Sequence, residues 1–132
     1  MTIERLNERA EDYCKAVSRL KEALDEDTSN PLLYDAVIQR CDFTYELAWK
    51  LMKSYLEYQG IALINSPRST FKEAFAQGLI LDGDIWINMI EARTLTVHAY
   101  NEKMAKEIYD RVKDRYYSSF AAFADKMVEV LR

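Results

Sequence analysis

Glycine and proline are nearly missing from this chain, three and two residues in 132, and without them few tight turns can form. A small number of long helices is therefore expected. No apolar run approaches the roughly 20 residues that a membrane-spanning helix needs. The segment Met1-Thr-Ile-Glu-Arg5 has no signal-peptide pattern, so the expectation is a cytoplasmic protein without membrane contact. Cysteine is limited to Cys14 and Cys41, with no C-x-x-C pair; both read as reduced core thiols. A single histidine and scattered carboxylates make no recognisable metal-ligand set, so neither metal nor cofactor is expected. Basic residues number 18 against 22 acidic ones, a formal charge of −4. That balance argues against a broad, non-specific nucleic-acid surface, which needs clustered Lys and Arg. A focal site remains open to it, with Arg68, Arg93, Lys103 and Lys106 as candidate cations.

What is present is 49% hydrophobic and 30% charged, the balance of a soluble globular chain, and the length fits one domain over residues 1–132. Ile3, Leu6, Ala10, Tyr13, Val17, Leu20 and Leu24 alternate spacings of three and four, the seam of a core-facing helix. It ends in the acidic turn 25–31, where Asn30 is a natural N-cap and Pro31 suits a first helical position. A second helix is expected from Pro31 to Gln59, with Gly60 as its stop. It carries two apolar lines, one through Leu33, Val37, Cys41, Thr44, Ala48, Leu51 and Tyr55, the other through Phe43, Trp49, Met52 and Leu56. One partner face cannot bury both, so this helix is central or also faces a second subunit.

Residues 61–66 connect to a short helix that Ser66-Pro67 opens and Gly78 ends. Asp82-Gly-Asp84 opens another, with Ile85, Trp86, Met89 and Ile90 inward and Arg93 at its end. The last helix is expected over 102–131, its apolar face thickened by Tyr109, Tyr116, Tyr117 and Phe120. These aromatics read as core and interface packing rather than base-stacking platforms. The fold class is all-α: an up-and-down four-helix bundle with one short extra helix, homodimeric because it carries more apolar surface than its own core buries.

The functional centre is expected in Glu91-Ala-Arg-Thr-Leu-Thr-Val-His-Ala-Tyr100, which holds the only histidine, five residues after an arginine. Imidazole accepts and donates a proton near neutrality, and guanidinium grips phosphate oxygens at two points. Together they suit phosphoryl chemistry. On an unbroken helix Arg93 and His98 lie roughly 140° apart, too far round to meet on one ligand atom. The helix must break, or two chains must share the site. Thr94, Thr96 and Val97 are β-branched and weaken helix propensity, and Asn101 is a good N-cap, so a break near 95–100 is expected. The plain alternative is an ordinary loop histidine, and the spacing alone is a weak motif.

Several stretches together resemble one family: Asp42-Phe-Thr-Tyr-Glu-Leu-Ala-Trp-Lys50, Ser66-Pro-Arg68, Ala74-Phe-Ala-Gln-Gly-Leu-Ile80, Asp82-Gly-Asp-Ile-Trp86 and Arg93-x4-His98-x-Tyr100. They are similar to the nucleotidyltransferase substrate-binding proteins, a branch of the HEPN superfamily, over residues 3–130. The resemblance implies a homodimeric bundle encoded beside a minimal nucleotidyltransferase, in many operons as toxin and antitoxin. It implies a metal-independent ribonuclease with Arg93 and His98 as the catalytic pair at a dimer interface, and RNA as substrate. Tyr100 matches the tyrosine that the partner enzyme modifies with AMP. Thr94 stands where HEPN nucleases commonly carry an amide such as Asn, which would weaken substrate positioning. Asp42 and Glu46, about one turn apart, are placed to orient His98 or Arg93; the alternative is a solvated or ion-paired face. The resemblance equally allows a non-catalytic subunit that docks the transferase and presents an acceptor.

Overall fold

The computed structural model describes residues 2–26, 29–62, 64–99 and 101–132, and for residues 97–99 it describes the backbone alone. Among the described residues every regular element is helical. Helix α1 is Ile3–Leu24, α2 Leu32–Tyr58, α3 Pro67–Ala76, α4 Gly83–Ala99, α5 Glu102–Arg111 and α6 Tyr117–Val130, with a π-helical turn at Val112–Tyr116 joining the last two. No helix among the described residues is long and apolar enough to cross a membrane.

The starts are set by side chains that satisfy otherwise unpaired N–H groups. Thr2 accepts from the Arg5 amide of α1. The Asn30 carboxamide accepts from the Leu32 amide at 3.0 Å, so Asn30 closes the start of α2 although the first helical residue is Leu32 rather than Pro31. Ser66 and Ser69 form a reciprocal capping box on α3. The chain leaves α2 through Gly60 and α3 through Gly78, with φ of 89° and 77°, a left-handed turn that costs a side-chain-bearing residue energy.

α2 is the central element and packs against α1, α3, α5 and α6. The second of its apolar lines divides. Met52 and Leu56 are buried within the chain, whereas Phe43 stays 60% exposed. On the last helical rod Tyr109, Tyr116, Phe120 and Phe123 are all buried, so these aromatics are consumed by the chain's own core. Tyr45, Phe71, Trp86, Phe120, Phe123 and Tyr13 form a continuous ring-to-ring spine with centroids 5.2–6.0 Å apart. The Tyr13 hydroxyl donates to the Phe120 carbonyl at 2.7 Å and ties α1 to α6.

Two expectations are corrected. The helix carrying Arg93 does not break between Arg93 and His98; α4 runs on to Ala99. The threonines that should weaken it are accommodated by back-bonding: Thr94 Oγ1 donates to the Ile90 carbonyl at 3.2 Å and Thr96 Oγ1 to the Arg93 carbonyl at 2.8 Å. α4 ends at Ala99, inside the expected 95–100 window but beyond position 98, and Asn101 caps α5 by accepting from the Met104 amide at 2.9 Å. The last helix is likewise not one α-helix, because the π-turn interrupts it. Buried Ile108, Val112, Tyr116 and Phe120 recur every four residues through that turn. In a straight α-helix such a row drifts by about 40° per step. A wider π-turn absorbs one extra residue and keeps the row on one face.

Candidate functional site

Arg93 reaches from α4 toward α2, where side chains one turn apart receive it. Its Nη1 donates to Glu46 Oε1 at 2.7 Å and its Nε lies 3.4 Å from Asp42 Oδ1. The guanidinium carbon sits 4.5 Å from the centre of the Tyr45 ring, a cation–π contact. Asp42, Tyr45 and Glu46 follow the i, i+3, i+4 spacing that puts three side chains on one helical face. The guanidinium has five N–H donors, more than these two contacts use.

Glu46 is itself held. Its second oxygen accepts from Trp49 Nε1 at 3.1 Å and lies 3.7 Å from Lys50 Nζ. Glu46 is thus held at both oxygens, one by Arg93 and the other by Trp49 and Lys50. Burial works against the Arg93 charge, but the Glu46 bond and the Asp42 and Glu46 charges outweigh it and raise its pKa further. It stays a permanent cation. The Asp42 carboxyl is pushed up by burial and by the Glu46 charge, while Arg93 pulls it down. Burial also raises the Tyr45 phenol against the pull of Arg93.

Beside Arg93 a narrow cleft opens between α2, α4 and the rod of α5 and the π-turn. Ile38, Cys41, Tyr45, Met89, Ile108 and Tyr116 form its apolar walls, with Asp42, Arg93 and Thr96 supplying the polar groups. Its interior, about 20 Å³, has room for one or two waters. A nucleobase would not enter; a phosphate oxygen at the mouth could reach Arg93. Cys41 faces this cleft as a free thiol, raised by burial and by Asp42. Among the described residues no group of three or more His, Cys, Asp or Glu is arranged to hold a metal ion.

The structure thus brings Arg93, Asp42 and Glu46 together and leaves other sequence candidates apart. Thr94 is exposed and does not line the cleft; Thr96 does. Arg68, Lys103 and Lys106 are exposed elsewhere, Lys106 paired with Asp110 at 3.3 Å. His98 belongs to α4 by its backbone, while its side chain and all of Tyr100 lie outside the described residues. Sequence reasoning missed Tyr45 and Tyr116. Tyr45 could have been found from its place between Asp42 and Glu46 on one face. Tyr116 carried no such signal, because it reads as one more aromatic of the apolar stripe.

Residues 8–129 match the family of nucleotidyltransferase substrate binding protein-like chains. The chain belongs to that family. A Haemophilus influenzae relative described as probable ribonuclease HepT is 33% identical over 86 residues, which cover 62% of this chain and 59% of the relative. The match therefore spans less than two thirds of that protein's length. Among solved structures, a Thermus thermophilus protein superposes with a TM-score of 0.75 at 31% identity, covering 91% of this chain and 98% of that one. A tri-AMPylated HEPN toxin of Shewanella oneidensis, solved in complex with MNT antitoxin, gives 0.77 at 19% identity, with 98% of each chain covered. At that identity the likeness is one of fold, and the fold is that of HEPN proteins.

Proposed function

We propose that this chain is the HEPN-type partner of a minimal nucleotidyltransferase and acts as a toxin-like, metal-independent endoribonuclease. In this reading residues 1–132 form one up-and-down bundle domain that works as a cytoplasmic homodimer. The observation that carries it is the braced guanidinium of Arg93 on an α4 that continues unbroken past position 98. Positions 93 and 98 are roughly 140° apart around that helix and about 7.5 Å apart along it. One chain's pair cannot converge on one phosphorus, so an RNA phosphate meets Arg93 of one protomer and His98 of the partner subunit.

His98 takes the proton of the RNA 2′-hydroxyl as general base. The 2′-oxygen attacks the adjacent phosphorus, and Arg93 stabilises the charge of the pentacoordinate species. The 5′-oxygen leaves with a proton taken from water, giving a 2′,3′-cyclic phosphate and a 5′-hydroxyl. DNA has no 2′-hydroxyl and resists this route. Asp42, Glu46 and Tyr45 keep Arg93 in place, so that little of its rotamer entropy is lost when the phosphate binds. The neighbouring transferase controls the site at Tyr100: the phenol oxygen attacks the α-phosphorus of ATP, pyrophosphate leaves, and Tyr100 carries AMP.

The test is incubation of RNA with wild-type protein in EDTA, beside His98→Ala and Arg93→Ala. Cutting to cyclic phosphate ends by wild type alone supports the reading; equal cutting by His98→Ala overturns it. A second reading has its own support. Arg93 is already engaged by two carboxylates, which suits a non-catalytic subunit that docks the transferase and presents an acceptor. Wild-type protein that binds the transferase but leaves RNA intact selects this second reading.

A further inference from the structure

The π-turn at Val112–Tyr116 has no part in the mechanism above, yet it borders the site. Nothing in Val112-Lys-Asp-Arg-Tyr116 forces it, since the stretch holds neither glycine nor proline, the common causes of an irregular helix. Such turns are rare inside α-helices and are concentrated at functional sites. What this one achieves is the placement of Tyr116. The side chain is 1% exposed, its ring lines the Arg93 cleft, and its hydroxyl donates to Asn88 Oδ1 on α4. Asn88 precedes Arg93 by five residues on the same helix.

We propose that Tyr116 is a positioning residue for Arg93, an inference that rests on the endoribonuclease reading. Arg93 is gripped from two sides. Asp42, Tyr45 and Glu46 on α2 hold the guanidinium itself, and Tyr116 holds the helix beneath it through Asn88. Asn88 and Arg93 are about 1.4 turns apart, close enough that a small rotation of α4 at Asn88 moves the guanidinium relative to a bound phosphate. A misplacement of about 1 Å costs up to 10²-fold in rate. Tyr116→Phe keeps the ring and removes the hydroxyl's contacts with Asn88 and with Arg111, and Asn88→Ala removes the first alone, so the two together test the tether without opening the core.

The experiment measures RNA cleavage and the Arg93 Nε–H resonance by NMR for wild type, Tyr116→Phe, Asn88→Ala and the double variant. Tyr58→Phe, at an exposed position, serves as the control. The expected result is a kcat lowered roughly 10-fold by either single change, with KM within twofold of wild type. The double variant should be no worse than Tyr116→Phe, because that change has already broken the bond that Asn88→Ala removes. The Arg93 resonance should shift in all three variants and not in the control. Tyr116→Phe with wild-type kcat and an unmoved Arg93 resonance overturns the proposal, as do losses that add in the double variant. Should wild type itself cut no RNA, the endoribonuclease reading fails separately, and the resonance alone decides: a shift on Tyr116→Phe sustains the tether, and an unmoved signal removes it.

Discussion

Glu46 on α2 and Arg93 on α4, 47 positions apart in the chain, meet at 2.7 Å and make the shortest ion pair of the described residues. The pair joins two helices at the point where the cleft opens. Its partners are 35% and 37% exposed, so solvent screens it and its worth to the fold is limited. A double-mutant cycle with Glu46→Ala and Arg93→Ala, read by urea unfolding, should give a coupling of about 0.5–1 kcal/mol. A coupling near zero would mean that the two groups do not hold each other in solution.

Asp42 gives a pH-dependent prediction. Burial, and then the Glu46 charge, raise its carboxyl above the ordinary 3.8 despite Arg93. A raised folded-state pKa favours folding below the unfolded value, and that contribution disappears as pH rises through the folded value. At neutral pH the ionised Asp42 therefore costs stability. Asp42→Asn should be more stable than wild type at pH 7 by under about 1 kcal/mol, the group being 42% exposed and partly screened. The difference should shrink as pH falls toward 4. Chemical denaturation of both proteins at pH 7 and pH 4 checks the sign, and an advantage that grows in acid would contradict it.

Gly78 ends α3 with φ of 77° and open space around its missing Cβ. Substitution by alanine meets no clash there, so the whole cost is conformational. Gly78→Ala should lose about 1–2 kcal/mol, measured as a lowered midpoint of thermal unfolding with the helical signal intact. An unchanged midpoint would mean that the turn relaxes to another geometry.

Control by modification is tested separately from cleavage. On the proposed function, incubation with a minimal nucleotidyltransferase, ATP and Mg²⁺ should add AMP at Tyr100, located by peptide mass spectrometry. The new phosphodiester anion would attract Arg93 and protonated His98, so the modified protein should lose RNA binding along with cleavage. Equal labelling of Tyr100→Phe would take Tyr100 out of the account and leave Arg93 and His98 standing.

Much of this molecule was legible in its sequence, and the reasons differ by element. The scarcity of glycine and proline and the three-four spacing of apolar residues marked the helices, and Asn30, Ser66 and Asn101 sit at or beside the observed starts because capping is local chemistry. The helical face of Asp42 and Glu46 was readable; that Arg93 would lie across it, on the Tyr45 ring, depended on packing between α2 and α4. The continuation of α4 past Thr94 and Thr96 was misjudged because propensity counts β-branching and not the back-bond that each hydroxyl makes to its own helix. The π-turn had no sequence signal, since Val112-Lys-Asp-Arg-Tyr116 reads as ordinary helix.

The central claim is that Arg93 and His98 form a working site only across two protomers. Subunit mixing tests it most directly. Arg93→Ala and His98→Ala proteins, each inactive alone, are unfolded together, refolded and assayed for RNA cleavage in EDTA. If each site takes Arg93 from one protomer and His98 from the other, a mixed dimer carries one intact site. Random pairing then restores roughly a quarter of wild-type activity. Mixed dimers verified by mass spectrometry that cut no RNA would contradict the shared site, because a site built within one chain is damaged in every subunit of the mixture.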